Sequence, residues 1–111
     1  SKSWDNQFTF LQSNNKVEPS WFSFPIILRD DLVNKKEKFL KKLNKNGIET
    51  RPIISGNFLN QPSISLYDLN KNNQKLVNCQ KLEERGFFIG LHTEPITKDR
   101  LNFLAKQLLE I

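Results

Sequence analysis

This 111-residue chain is poor in the residues that staple or chemically arm small proteins: it has one cysteine, one histidine, no methionine and four glycines. A lone thiol, Cys79, cannot close an intramolecular disulfide, and His92 without Cys or His companions cannot complete a zinc site of the usual kind. No metal site is expected. One histidine also leaves no Ser/His/Asp arrangement to argue for, and the scattered glycines match neither phosphate-cradling motif. Neither adjacent acidic pair makes a paired-carboxylate site: Glu83 and Glu84 are neighbours on a helix and splay apart, and Asp30-Asp31 is better used as a helix cap. No catalytic residue is therefore expected. No apolar run approaches the ~20 residues of a membrane span, and no charged-then-apolar leader opens the sequence. The expectation is a cytoplasmic chain with no membrane partner.

What is present is charge, aromatic bulk and a few backbone-special residues. The net charge is +5 and the sequence pI about 9.5. Much of that charge falls on one stretch, where Lys35, Lys36, Lys38, Lys41, Lys42 and Lys45 are opposed only by Glu37. Lysines on the polar side of an amphipathic helix read as a solvated face. Without arginines or stacking aromatics among them, no nucleic-acid partner is expected. Nine phenylalanines supply core volume, and the length leaves room for one domain with one core, residues 1–111.

Periodicity organises the chain. Phe8-Thr9-Phe10-Leu11 alternates as a short strand, and Trp21 to Leu28 as a longer one, with Phe22, Phe24, Ile26 and Leu28 on one face. Pro25 lacks a ladder N–H and predicts an edge position or a bulge. Asp30 or Asp31 is the expected cap of a first helix carrying Leu32, Phe39, Leu40 and Leu43, ended by Asn46-Gly47. Ile48 to Ile54 reads as extended chain. Residues 55–72 read as loop with one short helical turn near Pro62 to Leu66, and a loop of that length is usually functional. Asn73 to Arg85 predicts a second helix turning Leu76, Val77, Cys79 and Leu82 inward, Cys79 as a small buried thiol. Gly86 closes it before a buried strand, Phe87 to Leu91. Thr97 caps a last helix with Ile96 and Leu101 as a staple and Leu104, Ala105, Leu108 and Leu109 on its stripe. These elements predict an α+β fold of two layers, a small, mostly antiparallel sheet packed against three helices.

The polar residues at strand ends form a binding set rather than a catalytic one. Arg51 alternates with a core-facing Thr50, so it leaves the opposite face of the sheet, where a guanidinium can hold phosphate or carboxylate by two hydrogen bonds. A surface pair with Glu49, Glu83 or Glu84 explains the same residue. Gly56 permits a positive φ or close approach to a ligand, and Asn57 can offer its amide to a sugar hydroxyl, although an ordinary Gly-Asn turn accounts for both. Gln61 and His92 complete the set, each equally open to a solvated role.

Three segments together carry a family resemblance: Pro19-Ser20-Trp21-Phe22-Ser23-Phe24-Pro25-Ile26, then Gly47 to Pro62 with Thr50-Arg51-Pro52 and Gly56-Asn57-Phe58-Leu59-Asn60-Gln61-Pro62, then Glu84-Arg85-Gly86-Phe87-Phe88-Ile89-Gly90-Leu91. From Phe8 to Ile111 the chain resembles the C-terminal small domain of pyridoxal-phosphate-dependent sugar aminotransferases. Within them it is most similar to the 3-dehydrases of nucleotide-linked 4-keto-6-deoxyhexoses. The resemblance implies an enzyme using pyridoxal 5'-phosphate or pyridoxamine 5'-phosphate, held mainly by a large N-terminal domain that this sequence lacks, and working as a homodimer. It implies that the small domain closes the active site and faces the nucleotide-sugar substrate with Arg51, Gly56, Asn57, Gln61 and His92. The turn at His92 departs from the family's aromatic, glycine-bearing pattern, and Ser23 stands where the family has glycine. By this reading the 111 residues alone bind no cofactor and catalyse nothing. The competing reading is a free-standing α/β binding or regulatory module for a small anionic ligand.

Overall fold

The computed structural model describes residues 4–67 and 75–111. In chain order the elements are helix α1 (Trp4–Gln7), strand β1 (Phe8–Phe10), strand β2 (Ser23–Leu28), a 3-10 segment (Asp30–Lys35), α2 (Lys36–Lys45), β3 (Thr50–Arg51), a 3-10 turn (Phe58–Asn60), α3 (Ser63–Tyr67), α4 (Val77–Arg85), β4 (Gly86–Gly90) and α5 (Lys98–Leu109). The four strands form one antiparallel sheet in the order β1-β2-β4-β3. The α+β architecture predicted from periodicity is the one observed.

Alternation decides which face of the sheet is buried. Ile26 and Leu28 on β2, Phe87 and Ile89 on β4 and Phe8 on β1 are all buried, and they meet Phe39 and Leu43 of α2, Leu32 of the preceding turn and Leu108 of α5. Phe39 packs edge-on against Phe87, with ring centroids 6.1 Å apart, and lies stacked on Phe8 at 6.3 Å. Residues 25, 27 and 88 fall on the other face and are half-buried. The α4 helix contributes no fully buried residue: Cys79 and Leu82 are half-buried, while Leu76 and Val77 are exposed. The expected helix began too early, since Lys75 and Leu76 are not helical and residues 73 and 74 lie outside the described set, as do 68–72 of the expected loop.

Several local expectations are corrected by neighbours that sequence periodicity does not see. Pro25 lies on an interior strand, but β1 stops at Phe10, opposite Ile26, so at Pro25 only β4 runs alongside and no second ladder is interrupted. Strand β2 starts at Ser23 rather than Trp21, leaving Phe22 84% exposed and Phe24 at the margin of the core. Arg29 rather than an aspartate occupies the N-cap position of the first helical segment, and no side chain caps it. Asp30 and Asp31 fall in the first turn, where they favour the positive end of the helix dipole, and Asp30 pairs with Arg85 of α4. The extended stretch expected over Ile48 to Ile54 pairs only at Thr50 and Arg51, because Pro52 has no N–H to continue the edge ladder. Leu101 of the expected staple is about half exposed.

The helix ends behave as their residues dictate. After α2, Gly47 takes φ 80°, its N–H bonds to the Asn44 carbonyl at 3.0 Å, and the Ile48 N–H bonds to the Leu43 carbonyl at 3.0 Å. That pair of bonds is the Schellman closure. Thr97 caps α5, accepting from the Arg100 N–H at 3.4 Å. Gly86 needs no positive φ, but a Cβ there would sit 2.4 Å from the Leu82 carbonyl oxygen, so only glycine lets β4 leave α4 so tightly. Of the six lysines between Lys35 and Lys45, four are exposed as expected. The half-buried Lys36 donates to the Glu83 carbonyl at 3.0 Å, satisfying a last-turn acceptor of α4. Burial pushes its ammonium below the ordinary value, a pull stronger than the opposing one of Glu83 and Glu84. Lys42 reaches across to α5, donating to the Glu110 carboxylate at 2.9 Å and its carbonyl at 3.0 Å.

Two outcomes follow from this packing. Phe87→Ala is expected to cost about 3–5 kcal/mol in urea unfolding, because it empties a fully buried aromatic site beside Phe39; a loss under 1 kcal/mol would mean the core closes elsewhere. The Lys42 hydrogen bond, then its charge, hold the Glu110 carboxyl below its ordinary 4.5. A depressed carboxylate gives stability that is present above the unfolded pKa and lost as pH falls through the folded one. Wild type should therefore lose stability faster than Lys42→Met as the pH is lowered from about 5 to about 3, and parallel curves would refute the coupling.

Candidate functional site

Arg51 is placed by β3, and β3 is placed by Asn44. The Asn44 side chain donates to Thr50 Oγ1 at 2.7 Å and accepts from the Thr50 N–H at 3.1 Å, which clips the short strand to the end of α2. Thr50 pairs with Ile89 and Arg51 with Phe88. Since Ile89 is buried in the core, Arg51 shares the opposite face with Phe88, as alternation predicts. The guanidinium is exposed, and its Nε and Nη2 both donate to Glu49 Oε1, at 2.9 and 2.6 Å. Of the surface partners open to it, Glu49 is the one observed. An exposed ion pair of this kind contributes about 0–1 kcal/mol, so it orients Arg51 more than it stabilises the fold. Nη1 takes no part in that contact.

The loop that follows is fastened to α4. Gly56 has φ 65°, and a Cβ built on it would lie 2.8 Å from Glu83 Cβ, so both conformation and space demand glycine. Asn57 is buried, 6% exposed. Its Oδ1 accepts from the Leu59 N–H at 3.1 Å and its Nδ2 donates to Gln80 Oε1 at 2.9 Å. Asn60 donates to the same Gln80 oxygen at 3.0 Å and to the Glu83 carboxylate, while Gln80 Nε2 donates to Glu84 Oε1 at 2.8 Å. The Asn57 amide is thus engaged inside the fold. Gln61 is half-buried and closes the 3-10 turn, its carbonyl accepting from the Ile64 N–H at 3.0 Å. An open cleft of about 560 Å³ lies between this turn and α4, bounded by Leu59, Leu76 and Val77 and by Asn60, Gln80 and Lys81.

Asn60 and Gln80 were missed in reading the sequence. The usable signal was spacing: an Asx residue three positions after Asn57 in a Gly-Asn turn, and a glutamine four positions before Glu84 on the polar side of a helix.

The register divides the expected binding residues between two ends of the sheet. Because β3 runs against β4, the loop with Gly56, Asn57 and Gln61 leaves beside the Gly86 end. His92 is exposed and follows β4 at its Gly90 end, beside Ser23 of β2. Arg51 lies between them. The structure brings Gly56, Asn57 and Gln61 together and does not gather all five residues around one point.

No protein-family model matches the chain. A GDP-4-keto-6-deoxy-D-mannose 3-dehydratase of Escherichia coli O55:H7 is 32% identical over 91 residues, 82% of this chain and 23% of that protein. The lipopolysaccharide biosynthesis protein RfbH of Salmonella typhimurium is 26% identical over 99 residues, 89% of this chain and 22% of that protein. Among solved structures, the E. coli GDP-4-keto-6-deoxy-D-mannose-3-dehydratase with bound hydrated PLP matches with TM-score 0.73 and 27% identity, over 96% of this chain and 27% of that one. The chain matches the C-terminal portion of these dehydratases. It spans about a quarter of the length of the curated relatives it matches. The similarity that the three sequence segments carried is therefore found in both sequence and structure, on the dehydratase side of the resembled family.

The glycine at 56 offers a direct check on how the loop is held. Gly56→Ala should destabilise the fold by about 1–3 kcal/mol, from the positive φ and the contact with Glu83. Unchanged thermal unfolding would mean that the loop is not seated against α4.

Proposed function

We propose that this chain serves as the small domain of a pyridoxal- or pyridoxamine-phosphate-dependent 3-dehydratase of a nucleotide-linked 4-keto-6-deoxy sugar. In this reading it acts in the cytoplasm beside a large cofactor-binding domain in a homodimeric enzyme. The observation that carries the reading is the match over nearly the whole chain to a solved dehydratase at TM-score 0.73, joined to a placed, exposed arginine on the sheet face away from the core.

When bound, the cofactor supplies the electron sink of such an enzyme. Lys36, the lysine whose pKa burial lowers, has its amine on the Glu83 carbonyl, and no step through the cofactor is assigned to this chain. Its role is to bind and orient. Arg51, steered by Glu49, takes a phosphate oxygen of the sugar nucleotide through charge-assisted hydrogen bonds. Gly56, Asn57 and Gln61 hold the following loop rigid against α4, so that the strand end carrying Arg51 keeps its place as the domain closes and excludes water. His92 flanks the site from the other end of β4.

The test is made on the complete gene product that carries the chain, supplied with pyridoxamine phosphate and GDP-4-keto-6-deoxy-D-mannose. Loss of one charge-assisted contact, about 1.5–3 kcal/mol, predicts that Arg51→Ala raises KM roughly 10- to 100-fold with a smaller change in kcat. An unaltered KM removes Arg51 from the substrate site. If the wild-type product dehydrates no nucleotide-linked 4-keto sugar, the enzyme reading falls, and calorimetry with GDP then tests the free-standing anion-binding module.

A further inference from the structure

Two strand ends meet at the Gly90 end of the sheet, the entry of β2 at Ser23 and the exit of β4 at Gly90, which pair. β1 stops short of it, with Phe10 opposite Ile26, and the chain runs on through Leu11 to the neighbourhood of Trp21, Phe24 and Leu91. Five apolar side chains there are left uncovered by described residues, beside the polar Gln12, Ser13 and Ser23: Leu11 is 56% exposed, Trp21 47%, Phe22 84%, Phe24 37% and Leu91 41%. Phe22 leans edge-on over Phe88 at 6.1 Å, extending the patch onto the sheet face that lacks core residues. Between Leu11, Trp21, Phe24, Pro25 and Leu91 lies a depression of about 480 Å³. Aromatic anchors grouped around a hollow are the make-up of an interface core, and a soluble protein seldom leaves such a patch bare.

We infer that this aromatic end is the docking surface for the cofactor-binding domain, an inference that rests on the proposed function. The solved dehydratase joins a match to 96% of this chain to the other three-quarters of a single polypeptide. A domain of that size attached to so small a fold needs an apolar surface to bury, and this one borders His92 and the face that carries Arg51. Ile54, Phe58, Leu66 and Tyr67 are exposed as well, but they precede residues 68–74 in the chain, which lie outside the described set, and so say less.

Thiol labelling of the complete gene product tests the surface. With Cys79 replaced by Ala, a thiol introduced by Phe22→Cys should react with a maleimide at least about tenfold more slowly than one introduced by Lys38→Cys on the exposed helix face, at every protein concentration. Equal rates overturn the inference. Protection that disappears on dilution also overturns it, because the occupant is then a second copy of the chain. The assay separates this inference from the proposed function: a freely labelled Phe22→Cys protein that dehydrates its sugar nucleotide defeats only the docking surface, and a protected one without activity defeats only the function.

Discussion

Burial of Phe87 and Ile89 on one side of β4 is the constraint on which the rest of this structure depends. β4 is paired on both sides, with β2 and with β3, so the two residues that enter the core also set the registers of its neighbours. A slip of one residue would turn Phe87 and Ile89 outward and bring Phe88 in, at the cost of two buried side chains for one. From that register follow the side on which Arg51 emerges, the end at which the 55–61 loop departs and the position of His92.

The second organising device is a set of polar ties that attach helices to strand ends. Asn44 clips β3 to α2, Lys36 and the Asp30–Arg85 pair join the first helical segment to the end of α4, and Asn57, Asn60 and Gln80 fasten the loop to α4. Asn46 donates to the buried Gln107, linking the end of α2 to α5. Each tie satisfies groups at a helix end or a turn that would otherwise lack partners, so the connections add geometric definition to a small apolar core. α4 buries no residue fully, and these ties join its polar side and its end to the loop and the first helical segment.

That division bears on function. A rigid, strapped loop next to an exposed, oriented arginine suits a part that presents groups to a site completed elsewhere, and it suits the relatives, of which this chain spans about a quarter. In the proposed function the apolar residues at the Gly90 end serve adhesion and the cation on the adjoining face serves the ligand.

The sequence by itself determined the elements with strong local causes. The strand expected over Phe87 to Leu91, the helix carrying Phe39, Leu40 and Leu43 and the last helix with Leu104 and Leu108 showed clear apolar spacing, and Gly47 and Thr97 marked helix ends through backbone chemistry that needs no distant partner. Gly56 and Asn57 were legible as a special turn, but periodicity cannot say what a turn faces. Only the tertiary structure decided that Asn57 spends its amide on Gln80, that Arg51 rests on Glu49, that Asp30 serves Arg85 rather than capping, and that Pro25 lies where its strand has lost one neighbour. These outcomes depend on groups brought together across the chain by strand register, and register is set by which side chains the whole core can bury at once.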